Sequence, residues 1–247
     1  MIRKAEAIVL KSFDFRETSR IVTFFTKDYG KVKGILKGIR KDPKKFGSSV
    51  DKFTVNDIVF YHHANSEIHL VGQCDLKNYF FPIRGDLRRS LAASYALELI
   101  DAMMPLEQPN EDIYKLLTDY LSSLQAADDV DRMVHIFQVK VLFTSGFRPH
   151  LDSCLICGKK ILNMARFSMQ LGGLMCKDCR PNDTSATVIS KGTVATILHI
   201  ERNSWTNGLR LGLSAPIKKE LKYVLNNFLV YHLERPLKST RYLHEKF

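Results

Sequence analysis

Four of the chain's five cysteines stand within the stretch CLICGKKILNMARFSMQLGGLMCKDC, as two CxxC pairs. Two residues between cysteines let both thiolates of a pair reach one ion from a tight turn, and two such turns supply the four sulfurs of a tetrahedral zinc. Between Cys157 and Cys176 lie 18 residues, inside the spacing of a C-x2-C…C-x2-C zinc site. Gly158, Gly172 and Gly173 put permissive backbone where the turns must be tight. The expected ligands are therefore Cys154, Cys157, Cys176 and Cys179, holding one Zn2+. Its role is structural, because four thiolates leave no coordination position open for water or substrate. A redox CxxC would open a helix within a βαβ pattern, which neither pair does, and iron–sulfur spacings are more clustered.

Disulfides would require an oxidising compartment. The N-terminus MIRKAEAIVLKSFDF has no apolar run of the secretory kind, and no stretch approaches the roughly 18 apolar residues of a membrane span. A cytoplasmic protein is expected. His150, just before the first pair, reads as a surface side chain. Cys74, in the strand-like IHLVGQCD, reads as a small buried hydrophobe.

The second chemistry is electrostatic. The 247 residues carry a net charge of +11, unevenly placed. Residues 1–80 hold 15 basic against 9 acidic side chains, residues 81–150 hold 7 against 10, and the remainder is basic again. A basic excess confined to particular segments suits a polyanion, nucleic acid first, met by particular surfaces. Most of the N-terminal excess falls between residues 27 and 45, with 8 basic and 2 acidic residues. Candidate phosphate contacts are Arg16 and Arg20 on a first hairpin, Lys33 and Lys37 on a third strand, and Arg40, Lys41, Lys44 and Lys45 in the loop GIRKDPKKFGSS. Phe13, Phe15, Phe46, Phe53 and Tyr61 are aromatic rings on which bases could stack. A solvated lysine face and core phenylalanines are the ordinary alternative for each of these residues.

Short strands must position these groups. Residues 5–11, 20–26, 31–38, 57–63 and 68–75 are rich in β-branched and aromatic side chains, with Asp28, Gly30, Asn56 and Asn65 as turn residues. Five short strands in this compass point to a small OB-type barrel. From Asp86 the period becomes helical, with helices expected over residues 86–104 and from the cap Asn110 through Leu124. A third, starting near Val130, is apolar nearly all round and ends at Gly146. After the cysteines, Ser190 caps another helix, and Pro216 opens a last one whose stripe runs from Ile217 to Leu229, with Lys218, Lys219, Lys222 and Asn226 on its other side. The expected class is thus α+β multidomain: an OB-type barrel over residues 1–80, then a helical domain over 81–247 with an inserted four-cysteine zinc ribbon at about 150–182.

The opening AIVLKSFDFRETSRIVTFFTKDYGKVKGILKGIRK, the junction LFTSGFRPHLDSCLICG, the second CKDC and the tail FLVYHLERPLKSTRYL together resemble the bacterial RecO family of recombination mediators. That resemblance covers nearly the whole chain. It implies binding of single- and double-stranded DNA, annealing of complementary strands, partnership with RecR, and help in loading RecA onto DNA coated by single-stranded DNA-binding protein. Some members lack the cysteines, so the metal is not essential to the family's activity. No enzyme motif competes: GxxxxGK[ST], HExxH and GxSxG are all absent. His62 and His63 sit in a strand pattern whose alternation sends the two rings to opposite faces, so they do not share an ion. Two other readings keep the same features. A zinc-ribbon adaptor joining proteins would bind no DNA, and an RNA-binding OB protein would recognise the 2′-hydroxyl.

Overall fold

The computed structural model describes residues 1–41, 46–161, 164–179 and 186–245. They form two compact units, one of residues 1–127 joined by the segment from 237 onward, the other of residues 128–236.

The first unit is built on the strands β1 (Ile2–Phe15), β2 (Ser19–Thr26), β3 (Gly30–Leu36), β4 (Val55–Tyr61) and β5 (Ile68–Asn78). They close into a barrel in the order β1-β2-β3-β5-β4, the OB-type barrel expected. Strict alternation in β3 buries Gly30, Val32, Gly34 and Leu36 while Lys31, Lys33 and Ile35 face partly outward. β1 outruns its expected length because it serves two neighbours. Its first half pairs with β4 and its second with β2, with a register shift between Val9 and Lys11 that bends the strand around the barrel. The parallel pairing of β3 with β5 completes closure, setting Gly34 opposite His69. A β-carbon at Gly34 would lie 2.4 Å from the Val71 side chain, so the strands meet there only because residue 34 lacks one. Val9, Val22, Phe24, Val32, Leu36, Ile58, Phe60 and Val71 fill the interior, and Cys74 joins them. Burial pushes the Cys74 thiol up to about 11, which leaves it an inert apolar group.

The short helix α1 (Phe81–Arg84) leads into α2 (Leu87–Met103), capped by the Asp86 carboxylate, which accepts the Arg89 N–H at 2.8 Å. α2 is buried on most of its surface: Leu87 is exposed, while Ala92, Ala93, Ala96, Leu97 and Ile100 are buried beside Tyr95 and Leu99. Its Asp101 receives Lys11 at 2.6 Å and Lys31 at 3.4 Å, tying the helix to β1 and β3. Asn110 caps α3 (Glu111–Leu124) as expected, accepting the Ile113 N–H. The chain's last helix, α8 (Lys238–Glu245), packs on α2 in this same unit. Glu98 of α2 accepts the backbone N–H groups of Lys238 and Ser239, both at 2.8 Å, and so caps α8 from outside.

In the second unit α4 (Val130–Thr144) is the central helix, buried on most of its faces, and Gly146 at φ +84° ends it. β6 (Ala165–Ser168), β7 (Gly173–Met175) and β8 (Thr187–Ile189) form a small sheet ordered β7-β6-β8. α5 (Lys191–Arg202), capped by Ser190, the short α6 (Trp205–Gly208) and α7 (Ala215–Leu233) complete it. Leu221, Val224, Leu225, Phe228 and Leu229 of α7 are buried as the stripe requires. The side expected to be a basic back differs. Lys218 pairs with Asp129 at 2.6 Å and Asn226 accepts from Gln138, both turned toward α4, so the lysine run is partly spent on packing. Among the described residues no helix is long and apolar enough to cross a membrane.

Candidate nucleic-acid interface and metal centre

The turn joining β1 to β2 and the segment following β3 lie together at one end of the barrel. Asp14 pairs in register with Arg20, and the backbone N–H of Arg40 donates to Thr18 O at 3.1 Å. This brings together three of the predicted basic residues. Arg20 Nε is 2.8 Å from one Asp14 oxygen and Arg40 Nε 3.5 Å from the other, while Arg40 Nη1 donates to Arg16 O at 3.0 Å. One carboxylate thus orients two guanidinium groups and leaves the group net positive. The hydrogen bond from Arg20, aided by the charge of Arg40, holds Asp14 below the usual aspartate range, so the arrangement persists at neutral pH. Arg16, at φ +54°, is exposed and its guanidinium lies 5.2 Å from the Phe15 ring centroid. Lys37 and Lys41 are exposed at the same loop. Lys33 lies apart from them, on the side where β3 meets β5, and pairs with Glu67 at 2.7 Å. Lys44 and Lys45 lie outside the described residues.

The aromatic set divides. Phe13 and Tyr61 are exposed, Phe15 is half-buried, and Phe46 and Phe53 are buried, which removes the latter two from any stacking surface. Phe46 joins the barrel core, an outcome the loop-like sequence around it does not announce. Phe13 lines a groove of about 330 Å³ with Ser12, Asp14, Arg20, Val50, Asp51 and Lys52.

In the second unit the two cysteine pairs converge. All four sulfurs lie within 4.8 Å of one another, and Cys157 Sγ is 3.8 Å from Cys176 Sγ. A tetrahedral ion with metal–sulfur bonds of about 2.3 Å sets sulfurs about 3.8 Å apart, so the four cysteines together can hold a metal ion. The first turn is closed by Gly158 N–H on Cys154 O and by Cys154 N–H on Lys159 O, both 2.9 Å, with Gly158 at φ +70°. Cys179 N–H closes the second turn on Cys176 O at 3.3 Å. Burial raises the Cys154 thiol, but the backbone N–H groups of Cys176, Cys157 and Ile156 outweigh it and bring the thiol down to about 6, while hydrogen bonds with Cys176 and Cys157 push Cys179 up to about 12. Gly173 permits the approach of the His150 backbone, whose carbonyl would be 2.5 Å from a β-carbon there. The His150 ring itself bonds Ser153 Oγ at 2.9 Å and takes no part in the four-sulfur cluster.

A closed OB-type barrel with a basic end, followed by helices that carry an inserted four-cysteine module, defines the class of protein. Residues 1–80 match the model of the recombination protein O N-terminal domain, and residues 84–241 match that of its C-terminal domain. The DNA repair protein RecO of Desulforamulus reducens is 34% identical over 243 residues, 98% of this chain and 94% of that protein. Those of Syntrophus aciditrophicus and Caldanaerobacter subterraneus are 30% and 32% identical, across 98% and 96% of this chain and 95% of each relative. The chain belongs to the RecO family.

Proposed function

We propose that this chain is a non-enzymatic DNA-binding recombination mediator acting in DNA repair. It binds single- and double-stranded DNA, anneals complementary strands, and works with RecR to load RecA onto DNA coated by single-stranded DNA-binding protein. The observation that carries the reading is the Arg16–Arg20–Arg40 cluster around Asp14, on an OB-type barrel that a whole-chain family match accompanies. Guanidinium groups held in a fixed geometry meet phosphates without a large loss of side-chain freedom. Exposed Phe13 beside them offers a face for an unstacked base. Lys37 and Lys41, both exposed, extend the positive surface, Lys33 contributes from the β3–β5 side, and Lys44 and Lys45 complete the set of phosphate contacts on the ground of their charge alone.

The metal in the four-cysteine module is one structural Zn2+, because a closed set of thiolates in tetrahedral spacing selects that ion and leaves no position for substrate. It holds the turns of the module and takes no part in strand annealing. The deciding experiment is annealing of complementary oligonucleotides, bare and coated with single-stranded DNA-binding protein, with and without RecR. Annealing of both substrates is expected, and failure on both overturns the reading. Tighter binding of an RNA strand than of the matched DNA strand would instead favour the RNA-binding alternative.

A further inference from the structure

Two histidines seven residues apart and a glutamate remote from both converge on the barrel at a place that none of the chemistry above uses. His62 follows β4, His69 lies in β5, and Glu107 stands in the loop between α2 and α3. His69 Nε2 is 2.6 Å from Glu107 Oε1 and His62 Nε2 is 3.3 Å from Glu107 Oε2. The two rings are 4.7 Å apart at their centroids, and the ligand atoms of all three residues lie within 4.8 Å of one another.

Each carrier is pinned by backbone. His62 exchanges two hydrogen bonds with Met1, at 2.8 and 3.1 Å. His69 is locked in the parallel β3–β5 pair, its ring fully buried against Phe60. Glu107 donates its N–H to Lys31 O at 2.9 Å and sits at φ +56°, a conformation that an L-residue rarely adopts without support from its surroundings. Next to it, Gly30 accommodates the Gln108 carbonyl, which would be 2.0 Å from a β-carbon. The fold thus holds an unfavourable backbone turn and thereby sends one carboxylate to two imidazoles.

We propose that His62, His69 and Glu107 form a second metal site of this protein, taking a borderline divalent cation, Zn2+ or one of similar preference, through two Nε2 atoms and a carboxylate oxygen. Two histidines and a glutamate are an established donor set for zinc, and three protein ligands leave one position for water. That position opens to solvent on the side of Glu107, which is 40% exposed, whereas His69 is wholly enclosed. Coordination displaces the proton between His69 Nε2 and Glu107, and the neutral ring then carries its hydrogen on Nδ1. Metal bonds replace the His69–Glu107 and His62–Glu107 hydrogen bonds, and the contact from His63 N–H to Nδ1, which at 3.4 Å is long for a hydrogen bond, is given up. The ion ties the loop that carries Glu107 to β5 and to the end of β4.

Titration of chelator-treated full-length protein with Co2+ tests this. The four-sulfur site gives sulfur-to-metal charge-transfer bands, and a nitrogen–oxygen site gives visible bands without them. Two ions per chain are expected for the wild type. One ion, with the sulfur signature, is expected for His62→Ala and for Glu107→Gln, and one without it for Cys176→Ser. Excess Zn2+ should raise the melting midpoint of Cys176→Ser and leave that of Cys176→Ser/Glu107→Gln unmoved. His62 is the more exposed histidine, so His62→Ala decides the matter if Glu107→Gln does not fold. One ion per chain in the wild type, or a second ion retained in both His62→Ala and Glu107→Gln, overturns the site and leaves a hydrogen-bonded clamp.

Discussion

Replacing Arg20 and Arg40 together with alanine removes two cations that share Asp14 at the end of the barrel. If both neutralise phosphates, the slope of log affinity against log salt on single strands falls by about 0.7 for each, or about 1.4 in all. Between about 50 and about 200 mM salt, a factor of four, each contact weakens binding about 2.6-fold, so the wild type's advantage over the variant shrinks about sevenfold across that interval. Binding by fluorescence anisotropy at four or five salt concentrations, on two oligonucleotides of unrelated sequence, reads this directly. The melting midpoint should stay where it is, because both arginines pair with a solvent-exposed carboxylate and such pairs contribute little to stability. Lys159→Ala/Lys160→Ala, which removes the same charge from exposed positions of the cysteine module, serves as the control and should leave the slope alone. An unchanged slope in Arg20→Ala/Arg40→Ala refutes the reasoning. Equal flattening in the control would mean that net charge, and not this cluster, carries the affinity.

Cys176→Ser should lower metal content and the melting midpoint of the second unit together, since metal binding at such a site is coupled to folding of the segment; metal analysis and calorimetry check both. Gly34→Ala places a methyl 2.4 Å from Val71 and 3.2 Å from Phe24 at the barrel's closing pair, which should cost about 1–3 kcal/mol in urea unfolding. Burial alone would raise Asp129, but Lys218 and the Arg132 N–H outweigh it and hold the carboxyl below its ordinary range. Its stabilisation is therefore complete above about pH 4 and lost as pH falls through the lowered folded value. Asp129→Asn keeps a good cap residue and removes the charge. It should be less stable at neutral pH by about 0.5 kcal/mol after solvent screening, with the gap closing on acidification in denaturation series.

Local pattern made much of this protein legible. The spacing of two CxxC pairs is itself the geometry of a four-sulfur site, because two-residue turns and the intervening ribbon need no distant partner to be specified. Alternation in β3 and the stripe of α7 reflect the period with which each backbone turns its side chains. Asn110 and Ser190 are caps because their side chains reach N–H groups three residues on. What the sequence could not settle are the meetings between segments far apart in the chain. Arg20 and Arg40 share Asp14, Phe46 turns into the core, and α8 returns to the first unit to be capped by Glu98. His62, dismissed beside His63 by strand alternation, finds His69 and Glu107 once β4 and β5 pair and the loop after α2 docks on β3. Such contacts depend on barrel closure and on left-handed turns at single residues. A periodicity has no term for either, since both are decided by what the rest of the chain allows to come within reach.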